Sequence, residues 1–143
     1  MSWLIAALLG AAIQNGSAAN LWTWALYEDE GPLVLANEIP DTPQLRSTLE
    51  CEPGSGVARV SIFGSPMGAG FIRVTAGAAT ATTETDGARR DKTQVTLRTD
   101  HPVFTQFVAS GALSLVMADQ SRAITVERSH RAKLRRFAGL CGG

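Results

Sequence analysis

Leu45-Arg-Ser-Thr-Leu-Glu-Cys51, Glu52-Pro-Gly-Ser-Gly56 and Val57-Ala-Arg-Val-Ser-Ile-Phe63 read together as a strand, a reversal and a returning strand. Leu45, Leu49 and Cys51 fall on one face at even spacing, as side chains on a pleated strand must. Pro53, Gly54 and Gly56 supply the backbone angles of a tight turn. The unit therefore predicts an antiparallel hairpin with one apolar face, which has to be covered by another layer.

The flanking sequence repeats this pattern. Leu21 to Tyr27 alternates, with Trp22, Trp24 and Leu26 predicted on one strand face, and Leu33–Ala36 is a short second strand. Residues 37–44 carry Pro40 and Pro43 and read as an irregular connection. After the Gly64–Gly70 loop come a strand at Phe71–Thr75 and an Ala/Thr-rich stretch over 76–85, open between weak strand and mobile segment. Asp86-Gly87 is a reversal signal, and Thr93–Thr99 alternates again. Thr and Val are abundant, and branched side chains suit a pleated, half-buried surface.

Helical signals begin only after residue 100. Asp100-His101-Pro102 has a capping side chain followed by a proline whose missing N–H costs nothing at a helix start. Val103, Phe104, Phe107 and Val108 share a helical face that ends at Ser110-Gly111. Leu113, Leu115 and Met117 mark a strand, Asp119-Gln120 a turn, and Ile124 and Val126 the return. From Ser129 to Leu140, His130, Leu134, Phe137 and Cys141 form one stripe of a second helix. The fold class is thus mainly β (α+β): an antiparallel β-sandwich-like domain with one inserted helix and a C-terminal helix.

The chain has 143 residues, with 13 basic and 13 acidic side chains. That balance argues against a dedicated nucleic-acid binder, which carries a positive surplus. Trp3 to Ile13 is apolar and Ser17 and Ala19 are small, the pattern of an export signal, although no Lys or Arg occurs in residues 2–19. The rival readings are a membrane anchor, for which the run is half the ~20 residues needed, and a first cytosolic helix. Export is favoured, so residues 1–19 are expected to be removed after Ala19, leaving 20–143 as one domain in the periplasm or outside the cell, with no membrane span.

Cys51 and Cys141 stand 90 apart in sequence. In an oxidising compartment two lone cysteines pair. A reactive thiol and a metal pair are the alternatives, but two Cys with no neighbouring His make a poor zinc set. The expected bridge ties the last helix to the sheet.

No other constellation points to chemistry. His101 beside Asp100, with Ser61 and Ser65 elsewhere, lacks a Gly-x-Ser-x-Gly elbow. His101 and His130 lack metal-protease spacing, and the glycine-rich loop lacks the Lys of a phosphate loop. No catalytic residue, metal or cofactor is implied. Charge concentrates in two places: the acidic loop Glu28-Asp29-Glu30-Gly-Pro32, and the helix bearing Arg128, Arg131, Lys133, Arg135 and Arg136. These eight charged residues are the candidate partner surface, weighed against a plain solvated helix face.

The order of parts resembles small exported bacterial proteins of unknown function, including the periplasmic accessory proteins associated with type VI secretion. The shared elements are the early Trp strand, Leu49-Glu-Cys51, His101-Pro-Val-Phe-Thr-Gln-Phe107, Leu113-Ser-Leu-Val116 and Leu134-Arg-Arg-Phe-Ala-Gly-Leu-Cys141. The front loop and the Ala/Thr stretch depart from that pattern. The resemblance implies the fold and the bridge, and transfers no catalytic residue. The expected function is a non-catalytic binding or accessory module contacting a protein of the cell envelope. A small hydrolase near Asp100-His101, and an inhibitor- or immunity-type binder, are the alternatives.

Overall fold

The structure is a computed structural model that describes residues 21–87 and 90–142. The apolar leader and its cut after Ala19 lie outside the described residues.

Among the described residues, nine strands build two antiparallel sheets. The first contains β1 (Thr23–Tyr27), β2 (Leu33–Glu38), β3 (Leu45–Cys51), β4 (Val57–Phe63) and β7 (Lys92–Arg98), in the order β1-β2-β3-β4-β7. The second contains β5 (Phe71–Ala76), β6 (Ala79–Glu84), β8 (Ala112–Met117) and β9 (Gln120–Thr125), in the order β6-β5-β8-β9. The inserted helix α1 (Pro102–Ser110) and the terminal helix α2 (Arg131–Gly142) complete the domain. The mainly β, sandwich-like reading holds.

Register explains the core. Leu26, Leu35, Leu49, Val60 and Val95 stand side by side across the first sheet. One cluster unites four of them (Leu26 packs against its rim) with Ile72, Val74, Leu113, Leu115 and Ile124 from the second sheet. Helix α1 packs on β5, β6 and β8, helix α2 on β1, β2 and β4, and the helices touch each other. Val103, Phe104 and Phe107 of α1 are buried, with the two Phe rings edge to face at 6.2 Å. On α2, Leu134, Phe137 and Cys141 are buried, and His130 just before it is half-buried, so the predicted stripe faces the body.

Several local readings are corrected. Trp22 stands just before β1 rather than in it, and only Trp24 is fully buried. In β3 the pairing slips: Asn37 faces Ser47 while Glu38 faces Leu45, leaving Arg46 as an extra residue. This bulge breaks the strict alternation that placed Leu45 with Leu49 and Cys51. The last hairpin turns at Ala118-Asp119, one residue earlier than expected, because Met117 pairs with Gln120. That register sets Ile124 opposite Leu113, and a one-residue slip would send Ile124 to solvent. Val126 lies past the strand. The C-terminal helix begins as a 3-10 turn, Arg128–His130. The Ala/Thr stretch is an ordered edge strand, β6.

The start of α1 is as expected, with a capping side chain directly before Pro102. His101 is the cap: its Nδ1 accepts from the Val103 N–H at 3.0 Å. The Asp100 carboxylate instead takes two bonds from Arg98, each 2.9 Å. At the other end Gly111 adopts φ 76° and its N–H donates to Phe107 O. A Cβ there would lie 2.3 Å from Val126 O, so the site needs glycine for both backbone angle and space.

Candidate partner-binding surface

The surface forms where the β1–β2 loop meets α2. Helix α2 buries one stripe, and helical periodicity leaves Arg135 and Arg136 exposed on the other side. Glu28 follows directly after β1, and α2 lies across β1 and β2, so the helix passes the root of the acidic loop. Arg136 donates from Nε to Glu28 Oε2 at 2.7 Å and from Nη2 to Oε1 at 2.6 Å. This forked geometry is the stronger form of a guanidinium–carboxylate pair. The bonds from Arg136 hold the Glu28 carboxyl below its usual range, and the carboxylate raises the Arg136 guanidinium.

Two more cations of the predicted set serve the fold. Lys133 Nζ donates to Trp24 O at 2.6 Å, covering an edge carbonyl of β1. Arg131 Nε donates to Val126 O at 3.4 Å. Arg128, Arg135, Asp29 and Glu30 are exposed and make no ion pair among the described residues. The structure thus joins the acidic loop to the basic helix at Glu28–Arg136. Two acids on the loop and two cations on the helix segment remain facing solvent.

The opposite end of α2 is fastened covalently. Cys51 and Cys141 form a disulfide, with Cα atoms 5.7 Å apart. The β3–β4 turn adds two backbone bonds to the helix end: Gly54 N–H to Leu140 O and Gly56 N–H to Cys141 O, at 3.0 and 2.8 Å. The buried stripe, the ion pair and the bridge hold α2 along its length, so its outer face is a fixed surface.

Three of the four groups of the hydrolase reading are engaged elsewhere, while Ser65 lies exposed in the loop after β4. His101 caps α1, Asp100 is held by Arg98, and Ser61 is fully buried, its Oγ accepting from Gln94 Nε2 at 3.0 Å. Among the described residues no group of three His, Cys, Asp or Glu is placed to hold a metal ion. No helix among them is long and apolar enough to cross a membrane.

Two features were missed from the sequence. Arg46, extruded by the bulge, lies 4.1 Å from the centroid of the Trp22 ring. It borders a cleft of about 560 Å³ between the sheets, lined also by Asn37, Ser47, Phe63 and Glu127. The second is a row on the face of the first sheet opposite Leu35 and Leu49: Ala25, Ala36, Thr48, Ser61 and Gln94, the last four buried. Thr48 Oγ1 is buried there without a hydrogen-bond partner among the described residues. No sequence signal marks the bulge. The buried row was visible only as unassigned alternation.

Comparison with protein-family models, with characterised proteins and with solved structures finds no match to this chain.

Proposed function

We propose that the chain is an exported, non-catalytic protein of the cell envelope that binds another envelope component through loop 28–32 and the outer face of α2. The observation that carries this reading is the Glu28–Arg136 pair, which unites two charged segments 108 residues apart into one surface. Asp29 and Glu30 on the same loop, and Arg128 and Arg135 on the same helical segment, are exposed and make no ion pair among the described residues, leaving their charges for a partner. Mixed signs at an interface steer encounter and fix register rather than supply bulk affinity. The leader-like opening and the Cys51–Cys141 bridge support an oxidising compartment, periplasmic or extracellular. The resemblance to periplasmic accessory proteins of type VI secretion supports the same placement. The engagement of His101, Asp100 and Ser61 in structural bonds supports a binding rather than a hydrolytic role.

The test compares the native chain with an Arg128→Glu, Arg135→Glu variant in chemical cross-linking of intact cells, followed by mass spectrometry. A partner cross-linked by the native chain and lost by the variant is the expected result. The same partner on both chains, or the full-length chain with its leader intact in the cytoplasm, refutes the proposal.

A further inference from the structure

The inward face of the first sheet changes character at one end. Leu35, Leu49, Val60 and Val95 form its apolar row. One strand period further on, the same face carries Asn37, Ser47, Ile62 and Thr93, side by side in register. Three of these are polar. Thr93 is accounted for, since its hydroxyl accepts from the Met67 N–H at 2.8 Å. Ser47 is only 4% exposed, yet neither its hydroxyl nor the Asn37 side-chain amide has a hydrogen-bond partner among the described residues. Both line the cleft between the first sheet and β9. Buried polar side chains are nearly always bonded, so these two groups mark where a polar guest would sit.

The opposite wall is the edge of β9. The two-residue turn Ala118-Asp119 closes on the Met117–Gln120 pair, so hydrogen-bonded pairs recur at Leu115–Arg122 and Leu113–Ile124. Ser121, Ala123 and Thr125 therefore turn their backbone N–H and C=O groups away from β8. Thr125 O accepts from the Trp24 indole N–H at 3.2 Å. Ala123 lines the cleft, and its N–H and C=O have no partner among the described residues.

Two charges of opposite sign complete the lining. The Arg46 guanidinium lies 4.1 Å from the centroid of the Trp22 ring, a stack that uses its flat face and leaves its N–H edge free. Glu127 is exposed just past β9. Neither makes an ion pair among the described residues.

We propose that this cleft binds a short peptide with free ends, its carboxylate on Arg46 and its ammonium on Glu127. Charge complementarity selects the class: a plain anion would meet Glu127 and a plain cation Arg46, whereas a zwitterion satisfies both. The uncharged lining selects a peptide among zwitterions. The Asn37 amide and the Ala123 backbone each present a donor beside an acceptor, the pattern that a peptide group matches. The volume of about 560 Å³ falls within the range of small-ligand sites, about 300–1,000 Å³. This inference stands apart from the partner surface on α2.

The test is a proton–nitrogen NMR titration of the disulfide-bonded chain with dialanine, trialanine and tetra-alanine. At least one peptide is expected to give saturable shifts at the Ala123 and Ser47 amides and the Trp22 indole. Arg46→Gln and Glu127→Gln, both at exposed positions, are each expected to weaken binding at least about tenfold, with circular dichroism unchanged. Capping each end of the peptide separates the two contacts. N-acetylation is expected to weaken binding to the native chain and to add nothing in Glu127→Gln; C-amidation should behave the same way toward Arg46→Gln. Arg135→Gln, on α2, should leave the affinity unchanged. Three outcomes overturn the proposal: no saturable shift up to about 10 mM, which would leave the cleft to water alone; capped peptides that bind as well as free ones; or binding that survives both cleft substitutions.

Discussion

Removing the Cys51–Cys141 bridge is expected to cost about 4–5 kcal/mol, and the figure comes from chain entropy. The bridge closes a loop of 90 residues. The loop-closure relation for that length gives about 15 cal/mol/K lost from the unfolded ensemble, or about 4.6 kcal/mol at 25 °C. The native state should change little. Helix α2 keeps its buried Leu134 and Phe137 and its two backbone bonds from Gly54 and Gly56. The Cys51→Ala, Cys141→Ala variant should therefore fold with α2 docked. Its loss should appear in equilibrium urea unfolding followed by tryptophan fluorescence, where buried Trp24 reports the transition. For a domain of this size the melting temperature should fall by roughly 15 °C. A more expanded unfolded state should also raise the denaturant slope. A loss below about 1 kcal/mol, with the bridge verified as complete in the native sample, would refute the entropic account. It would mean either a compact reduced ensemble or a native state relieved by reduction.

Other substitutions test other contacts. Gly111→Ala should destabilise by more than the ~1–2 kcal/mol of a left-handed non-glycine residue, because its Cβ also meets Val126 O; thermal melting checks it. His101→Ala removes the cap on α1 and should cost about 1 kcal/mol, with His101→Asn recovering most of it; an unchanged melting temperature in the Ala variant would return His101 to the catalytic candidates. Thr48→Val replaces a buried hydroxyl that has no partner among the described residues with a methyl of the same shape and should stabilise by about 1 kcal/mol, seen as a higher urea midpoint. Glu28 is depressed by the bonds from Arg136. Its contribution is present above the unfolded carboxylate range and is lost as pH falls through the lower folded value. A carboxyl NMR titration should show that low midpoint, and Arg136→Gln should return it toward the ordinary value.

Most of the fold was legible because it rests on local rules. Alternation from Ser47 to Cys51 and from Val57 to Phe63, with Pro and Gly between them, determines a hairpin whatever surrounds it, while the bulge at Arg46 lay beyond that rule. The stripe Leu134, Phe137 and Cys141 determines which side of α2 is buried. Leu113 and Ile124 marked a last hairpin, but the turn between them was read one residue late. Both Asp119-Gln120 and Ala118-Asp119 offer turn residues, and only the packing of Ile124 chooses between them. The Asp100-His101-Pro102 start held as well: His101, directly before the proline that opens α1, is the cap, and Arg98 holds Asp100.

The candidate site divides the same way. The sequence by itself determined where charge concentrates, which face of the last helix is apolar, and that Cys51 and Cys141 sit at the ends of elements able to meet. Periodicity and composition act over a few residues, so one dimension suffices for them. Only the tertiary structure decided that Glu28 pairs with Arg136 and that Lys133 covers the Trp24 carbonyl of β1. These are outcomes of register and of which strands become neighbours, set by contacts between residues some hundred positions apart. No local pattern encodes them.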